Sequence, residues 1–164
     1  MLKYLVYRNM LEGDSLSEVK IDDKVIQIEK SLRMIDYIIR KKGREILNDF
    51  NITGPQFTAL QWLISDEQMT IGELSQKMSL ACSTITDLID RMEKSKLVLR
   101  TRDEQDKRVV RLQVQPVGHD LVKKVLEKRQ MYLSEKLSAF NEKDKRFLSD
   151  SLKALHEAMG DEEE

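Results

Sequence analysis

The segment 70–114 constrains the fold most, because two short helical patterns are followed directly by two strand-like runs. Thr70 and Glu73 have the spacing of a capping box, in which each side chain bonds the backbone N–H of the other residue. This spacing predicts a short helix over about 71–78 and, after a turn of three or four residues, a second helix over about 82–95. Helical spacing predicts that four residues of this second helix face inward: Ile85, Leu88, Ile89 and Met92. Two short helices joined in this way are typical of a helix-turn-helix.

The two runs after the second helix, 97–101 and 109–114, are rich in residues that favour strands. The segment between them, 102–108, holds no apolar residue and therefore predicts the exposed tip of a β-hairpin. We call this segment the wing tip. A helix-turn-helix followed by a hairpin with a charged tip predicts a winged helix-turn-helix fold.

On both sides of this segment, apolar residues recur at spacings of three and four, which predicts amphipathic helices. The N-terminal helix has the stripe Val25, Ile28, Leu32, Ile35 and Ile39. Thr53 and Gln56 form a second capping-box pattern that opens the next helix, and Asn141 is a good N-cap for the last one. A long helix after Pro116 carries an apolar face that extends to Phe140. With only two prolines and six glycines in 164 residues, the chain is predicted to be mainly α, with a small β-hairpin wing.

Composition and the missing motifs exclude several classes of function. The single cysteine, Cys82, can form neither an internal disulfide nor a cysteine-rich zinc site, which fits a reducing cytosol. No signal-peptide core and no stretch of ~18 apolar residues is present, so we expect a cytoplasmic protein with no membrane partner. His119 and His156 are the only histidines, and no metal site is expected. Without a phosphate-binding loop or a nucleophile motif, we expect no cofactor and no enzyme activity.

The start of the second helix supplies the candidate residues for reading DNA. An α-helix fits the major groove, and its N-terminal part contacts the base edges there. Hydroxyl groups in this part of the helix can bond bases or phosphates, a carboxylate accepts hydrogen bonds, and an arginine further along can contact the backbone. The candidates are Ser83, Thr84, Thr86, Asp87 and Arg91.

The wing tip offers a second set of DNA contacts. A basic side chain at a hairpin tip can enter the minor groove, where the negative potential is strong. The candidates are Arg102, Lys107 and Arg108, within a longer run of positive charge formed by Lys94, Lys96, Arg100, Arg102, Lys107, Arg108 and Arg111. A charged tip is often only a solvated loop, and a hydroxyl-rich helix start is often only a cap. The ordered set of helix, turn, helix, strand, charged tip and strand is far more specific than any one of these features.

Cys82 has two interpretations. A thiol near a helix N-terminus tends to be reactive, so its oxidation could block DNA contact. The alternative is a small, semi-buried residue with no redox role, and we favour this alternative.

From Ile52 to Gly118 the chain resembles the MarR family of bacterial winged-helix regulators. The resemblance begins with the helix after Ile52 and continues through the helix-turn-helix into the spacing of the wing. The residues that carry it are Ile52 to Phe57, Leu60, Leu63, Thr70 to Ser75, Ser83 to Thr86, Leu88 to Met92, Leu97, Val98, Arg100, Asp103, Asp106, Arg108, Leu112 and Gly118.

The resemblance implies a homodimer that binds a pseudo-palindromic DNA site. Many members of the family repress transcription until a small phenolic or lipophilic effector, or an oxidant, releases them from DNA. The resemblance implies three regions: an arm and dimerisation helix over 1–51, the winged helix-turn-helix over 52–115, and dimerisation helices with an acidic tail over 116–164. It also implies that Asp106 and Arg108 brace the wing as an ion pair. Lys107 or Arg102 would then be the better DNA contact.

The sequence also departs from the family pattern in the reading helix. Ala81 stands where a capping side chain is common, Asp87 where an arginine is common, and Lys96 where a glycine is frequent. Thiol-sensing members carry their cysteine in the first helix, where this chain has none. Ala81 and Asp87, together with a formal net charge of only −1, motivate an alternative function, a winged-helix module that binds another protein and does not read DNA.

Overall fold

The computed structural model describes residues 21–160. The arm predicted at the N-terminus, up to residue 20, and the acidic tail 161–164 lie outside the described residues. The helices are α1 (Asp23–Asp49), α2 (Gly54–Ser65), α3 (Ile71–Met78), α4 (Cys82–Lys94), α5 (Pro116–Lys136) and α6 (Glu142–Gly160), and the strands are β1 (Val98–Arg102) and β2 (Val110–Val114). The predicted fold class, mainly α with a small hairpin wing, is confirmed.

The chain divides into two units between Arg40 and Lys41. In the first unit, residues 21–40 expose every side chain. The predicted apolar stripe lies on one face of α1, and its members are between 36% and 55% exposed: Val25, Ile28, Leu32, Ile35 and Ile39. Within the described residues of one chain, this apolar face of α1 is therefore not covered.

The second unit contains the core, which is formed by the C-terminal end of α1, helices α2 to α5 and the hairpin. The four residues of α4 that were predicted to face inward are all buried. The buried apolar set includes Ile46, Leu47, Phe57, Leu60, Leu63, Leu74, Ile85, Leu88, Ile89, Met92, Val98, Leu112, Val122 and Val125. Since burying one such side chain contributes about 1.5–3 kcal/mol, this shared core fixes α4 against the hairpin.

Both predicted capping boxes are present. Thr70 Oγ1 accepts the N–H of Glu73 at 3.2 Å, and Glu73 Oε2 accepts the N–H of Thr70 at 2.7 Å. Hydrogen bonding to the backbone of Thr70 lowers the pKa of Glu73. Thr53 and Gln56 repeat the arrangement at the start of α2. Ala81, in contrast, gives α4 no side-chain cap, and Lys96 after α4 is left-handed, with φ 57°.

The hairpin is antiparallel, with Val98 opposite Val114 and Arg102 opposite Val110. A short third segment joins it, because Thr70 bridges Arg111 and the N–H of Leu112 donates to the carbonyl of Met69 at 2.8 Å. The bridge involves too few residues to give a strand pattern, and the sequence did not predict it. It attaches β2 to the start of α3.

The end of α5 differs from the prediction. The helix ends at Lys136, so Phe140 lies beyond it, although its apolar face was predicted to extend to that residue. Turn hydrogen bonds close this connection, and Asn141 Oδ1 accepts the N–H of Asp144 at 2.9 Å, which caps α6 as predicted. Helix α6 buries none of its residues. No helix within 21–160 is both long and apolar enough to span a membrane.

Gly118, in the first turn of α5, is required by close packing. A Cβ added there would lie 2.6 Å from the carbonyl oxygen of Leu97 and 2.8 Å from Val114 Cγ1. Gly118→Ala is therefore expected to reduce the free energy of unfolding by about 1–3 kcal/mol, as overpacking does. Denaturant unfolding measures this change. Gly54→Ala is the matched control, because a Cβ there meets nothing within 4 Å; equal losses in both variants would contradict the packing explanation.

Candidate nucleic-acid interface

Helix α4 has one buried face and one open face. Ile85, Leu88, Ile89 and Met92 fix the buried face in the core. Side chains at spacings of three and four line the opposite, exposed face: Ser83, Asp87, Asp90 and Lys94. The core therefore orients a row of polar groups outward along the first three turns of the helix.

The predicted reading residues do not all present their polar groups in the same way. The side chains of Ser83, Thr84 and Asp87 are exposed, and none has a hydrogen-bond partner within the described part of the chain. Thr86 is half-buried, and its hydroxyl donates to the carbonyl of Cys82 at 2.8 Å, so only its lone pairs remain available. Arg91 Nε donates to the carbonyl of Asp87 at 3.1 Å, which holds this side chain along the helix.

Cys82 is exposed, so its interpretation as semi-buried is wrong. It occupies the first position of α4, before the inward-facing residues begin. Its thiol lies 3.4 Å from Ser75 Oγ, and that hydroxyl donates to the carbonyl of Leu80 at 2.6 Å. The thiol therefore belongs to a small polar network at the helix-turn-helix turn.

Asp103 organises the wing tip. Its Oδ1 accepts the N–H of Gln105 at 2.8 Å and of Asp106 at 3.0 Å, and its Oδ2 accepts Nε of Arg111. These interactions hold the pKa of Asp103 at about 2, well below 3.8, with the N–H of Asp106 the largest cause and the Arg111 guanidinium the next. We call this set of bonds the Asp103 hub.

Arg111 connects the hub to the helix-turn-helix. Its Nη1 donates to the carbonyl of Gln68 at 2.9 Å, in the turn between α2 and α3. The same residue bridges Thr70 through the backbone. The position of the wing tip is therefore fixed from outside the hairpin as well as from within it.

Arg108 and Asp106 form an ion pair on the wing tip. Nη2 of Arg108 lies 2.9 Å from Asp106 Oδ2, and Nε donates to Oδ1 at 3.0 Å. The Arg108 side chain is still 90% exposed, so it is within reach of a partner molecule. Arg102 and Lys107 are also exposed, and neither has an ion pair among residues 21–160.

Arg100 joins β1 to α4. Its Nη2 lies 2.6 Å from Asp90 Oδ1 and its Nη1 lies 2.5 Å from Glu93 Oε2. The backbone N–H of Arg100 donates to Glu93 Oε1 at 3.1 Å. One arginine therefore holds two carboxylates of α4.

These pairs change the predicted distribution of charge. The segment 82–114 has eight basic and six acidic residues, and seven of the basic residues were predicted to form one positive run. Arg100, Arg108 and Arg111 are instead paired with carboxylates of the same segment. The basic side chains of that run without an ion pair in the described chain are Lys94, Lys96, Arg102 and Lys107.

The helix-turn-helix of α3 and α4, followed by the hairpin, defines a winged helix-turn-helix regulator of transcription. A family model described as the MarR family matches residues 52–110. YsmB, an HTH-type transcriptional regulator of Bacillus subtilis, is 51% identical over 137 residues, which cover 84% of this chain and 94% of YsmB. The chain belongs to the MarR family, and the resemblance stated from the sequence is confirmed.

Solved structures agree with this assignment. A MarR family protein from Bacillus stearothermophilus is 44% identical, with a TM-score of 0.77 and coverage of 85% of this chain and 99% of that one. A transcriptional regulator from Thermotoga maritima is 32% identical, with a TM-score of 0.71 and coverage of 83% and 96%. The chain is thus a transcription regulator, not an enzyme.

Asp103→Ala should loosen the wing tip, because two backbone N–H groups and one guanidinium lose their acceptor. We expect the amide hydrogens of Gln105 and Asp106 to exchange at least roughly tenfold faster, while core amides are unchanged. Glu104→Ala is the matched control, since Glu104 lies on the same tip and accepts none of these bonds.

The same hub predicts a pH dependence. Because the folded-state pKa of Asp103 is lowered from 3.8 to about 2, its contribution to the tip is complete above about pH 4 and is lost as the pH falls through about 2. An NMR titration of the Asp103 carboxyl carbon measures this. A midpoint near 3.8 would show that the hub does not form in solution.

Proposed function

We propose that the protein is a cytoplasmic, ligand-responsive repressor that binds a pseudo-palindromic operator as a homodimer. The observation that carries the proposal is the exposed polar face of α4 together with a wing tip on which two cations, Arg102 and Lys107, have no ion pair within residues 21–160. The core and the Asp103 hub fix both elements, so neither needs to be ordered on binding. Preorganisation of this kind reduces the entropic cost of association.

In the proposed complex, α4 enters the major groove and the wing tip contacts the adjacent minor groove. Ser83, Thr84 and Asp87 are then placed to contact base edges or phosphates. Arg102 and Lys107 supply the positive charge at the tip, with Arg108 secondary because it is already paired. A MepR variant from Staphylococcus aureus, which shares this fold at 20% identity and a TM-score of 0.65, has been solved bound to an oligodeoxyribonucleotide.

The apolar residues outside the core support the homodimer. The stripe of α1 is exposed, and α6 exposes or half-buries its apolar residues Phe147, Leu148, Leu152 and Leu155. Apolar faces of this extent favour association. Two copies related by a two-fold axis would present two α4 helices to two DNA half-sites. Because the half-sites are then related by the same symmetry, the operator is expected to be pseudo-palindromic. Sedimentation velocity tests the dimer directly.

A protein-interaction module remains the alternative function, because α4 has no side-chain cap and carries Asp87 at its exposed surface. The two functions differ in the role of the wing cations. If the protein is a DNA-binding regulator, replacing Arg102 and Lys107 weakens its binding to DNA. If it is a module for a protein partner, the same replacements leave its DNA binding unchanged.

Arg129 supports the effector part of the proposal. Its guanidinium lies 4.7 Å from the ring centroid of Phe57, and its Nε is buried with no hydrogen-bond partner within the described chain. Nη2 lies beside Gly43, where an added Cβ would be 3.4 Å away. An unsatisfied cation on an aromatic ring suits the carboxylate or phenolate of an aromatic ligand.

Lys107→Ala should weaken DNA binding to a similar extent for all sequences and reduce the salt slope by about one unit, because one phosphate contact is lost. Thr84→Ala or Asp87→Ala should instead change which bases are preferred. Fluorescence anisotropy on the DNA upstream of the gene, at several salt concentrations, measures both. Lys143→Ala on α6 is the control. Uniform effects of all three site variants on every sequence would show that α4 is not the reading helix, and no salt-sensitive binding at micromolar protein would refute the proposed function.

Arg129→Met should leave DNA affinity unchanged and abolish the response to an aromatic acid, because the ligand loses its cation. The probe is hydroxybenzoate, added to the preformed complex in the anisotropy assay. Arg146→Met, on α6, is the matched control. A variant that still releases DNA at the same hydroxybenzoate concentration as the parent would contradict a role for Arg129 in effector binding.

A further inference from the structure

The exposed face of α4 carries carboxylates, whose negative charge opposes DNA binding. Asp87 and Asp90 lie on this face, and Glu93 lies at its edge, half-buried. DNA carries a phosphate charge about every 1.7 Å along its axis, so each carboxylate at the groove is repelled. In α4 the basic residues Arg91 and Lys94 are insufficient to neutralise three acids.

Arg100 neutralises two of these three acids from outside the helix. Its guanidinium spans Asp90 and Glu93 with N–O distances of 2.6 and 2.5 Å. The side chain of Arg100 is only 24% exposed, while that of Asp90 is 49% exposed, so the cation lies beneath the carboxylates. In this position Arg100 is poorly placed to reach a phosphate itself, although it still cancels charge at the surface.

We propose that Arg100 is a charge-masking residue for DNA binding: it pairs with Asp90 and Glu93 and leaves Asp87 as the one unpaired carboxylate of α4. The inference rests on the proposed function, because it concerns the surface that would face DNA. It makes Arg100 a positioning residue that acts through Asp90 and Glu93 rather than through contact with nucleic acid.

The competing explanation is that Arg100 is only a structural brace, which holds α4 against β1 through the same bonds and has no effect on the charge that DNA meets. The two explanations differ in what they predict for the carboxylates. A mask is needed only while the carboxylates are charged. A brace needs the carboxylates as partners, and their removal weakens it as much as removal of Arg100 does.

Three variants separate these explanations: Arg100→Met, the double variant Asp90→Asn with Glu93→Gln, and the triple variant that combines them. Charge masking predicts that Arg100→Met lowers DNA affinity roughly tenfold at low salt, with a smaller loss at high salt because screening weakens the repulsion. The double variant should bind at least as tightly as the parent. The triple variant should recover most of the loss, because no uncovered charge remains.

The readout is anisotropy on one DNA duplex across a salt series, with the intact protein. Arg40→Met is the matched control, because Arg40 forms an exposed ion pair of 2.7 Å with Asp36 within α1. This control should bind as the parent does. A double variant that binds as weakly as Arg100→Met, or a triple variant with no recovery, would overturn masking in favour of a brace.

These experiments also distinguish failure of the masking inference from failure of the proposed function. If the parent protein shows no salt-sensitive DNA binding, the proposed function fails. If the parent binds and Arg100→Met binds equally well, the masking inference alone fails. Should Arg100→Met not fold, the double variant still decides, because masking predicts equal or tighter binding and bracing predicts weaker binding.

Discussion

Pairing between arginines and carboxylates determines both the shape and the charge of the surface formed by α4 and the hairpin. Asp103 turns the wing tip and holds Arg111, which in turn bonds the carbonyl of Gln68. Arg100 attaches β1 to α4 through Asp90 and Glu93. Isolated exposed ion pairs contribute little to stability, but these are partly shielded and share partners with the backbone, so they order the segments they join. Each arginine that is paired in this way also contributes less positive charge to the binding of DNA.

The sequence predicted the local features of this surface well. A capping box depends on residues three positions apart, and Thr70 with Glu73 therefore located the start of α3. The buried face of α4 followed from helical spacing alone. The bonds from Asp103 to the N–H groups of Gln105 and Asp106 are also local, typical of an Asx turn, and could have been predicted.

The remaining contacts depend on tertiary packing, which the sequence does not display. The Arg111 bond to Gln68 joins positions 43 residues apart, and the Arg100 bond to Asp90 spans ten residues and a change from helix to strand. A list of arginines cannot tell which of them are used internally, because the answer depends on how β1 and β2 lie against α3 and α4. For this reason the positive run of the sequence overstated the charge at the interface. Cys82 was misplaced for a related reason: the inward face of α4 begins only at Ile85.

The division of charge between the wing tip and α4 would assign DNA affinity and base preference to different elements. In the proposed complex, the unpaired cations Arg102 and Lys107 lie on the wing tip, and they attract any duplex because phosphates carry no sequence information. The reading face of α4 instead offers hydroxyl groups and the carboxylate of Asp87. A carboxylate only accepts hydrogen bonds, and in the major groove it pairs best with the amino group of cytosine and is repelled by the acceptors of guanine. Affinity would thus come mainly from the wing, and base preference from the hydroxyl groups and the Asp87 carboxylate of α4, which is the reverse of the common arrangement in which an arginine reads guanine.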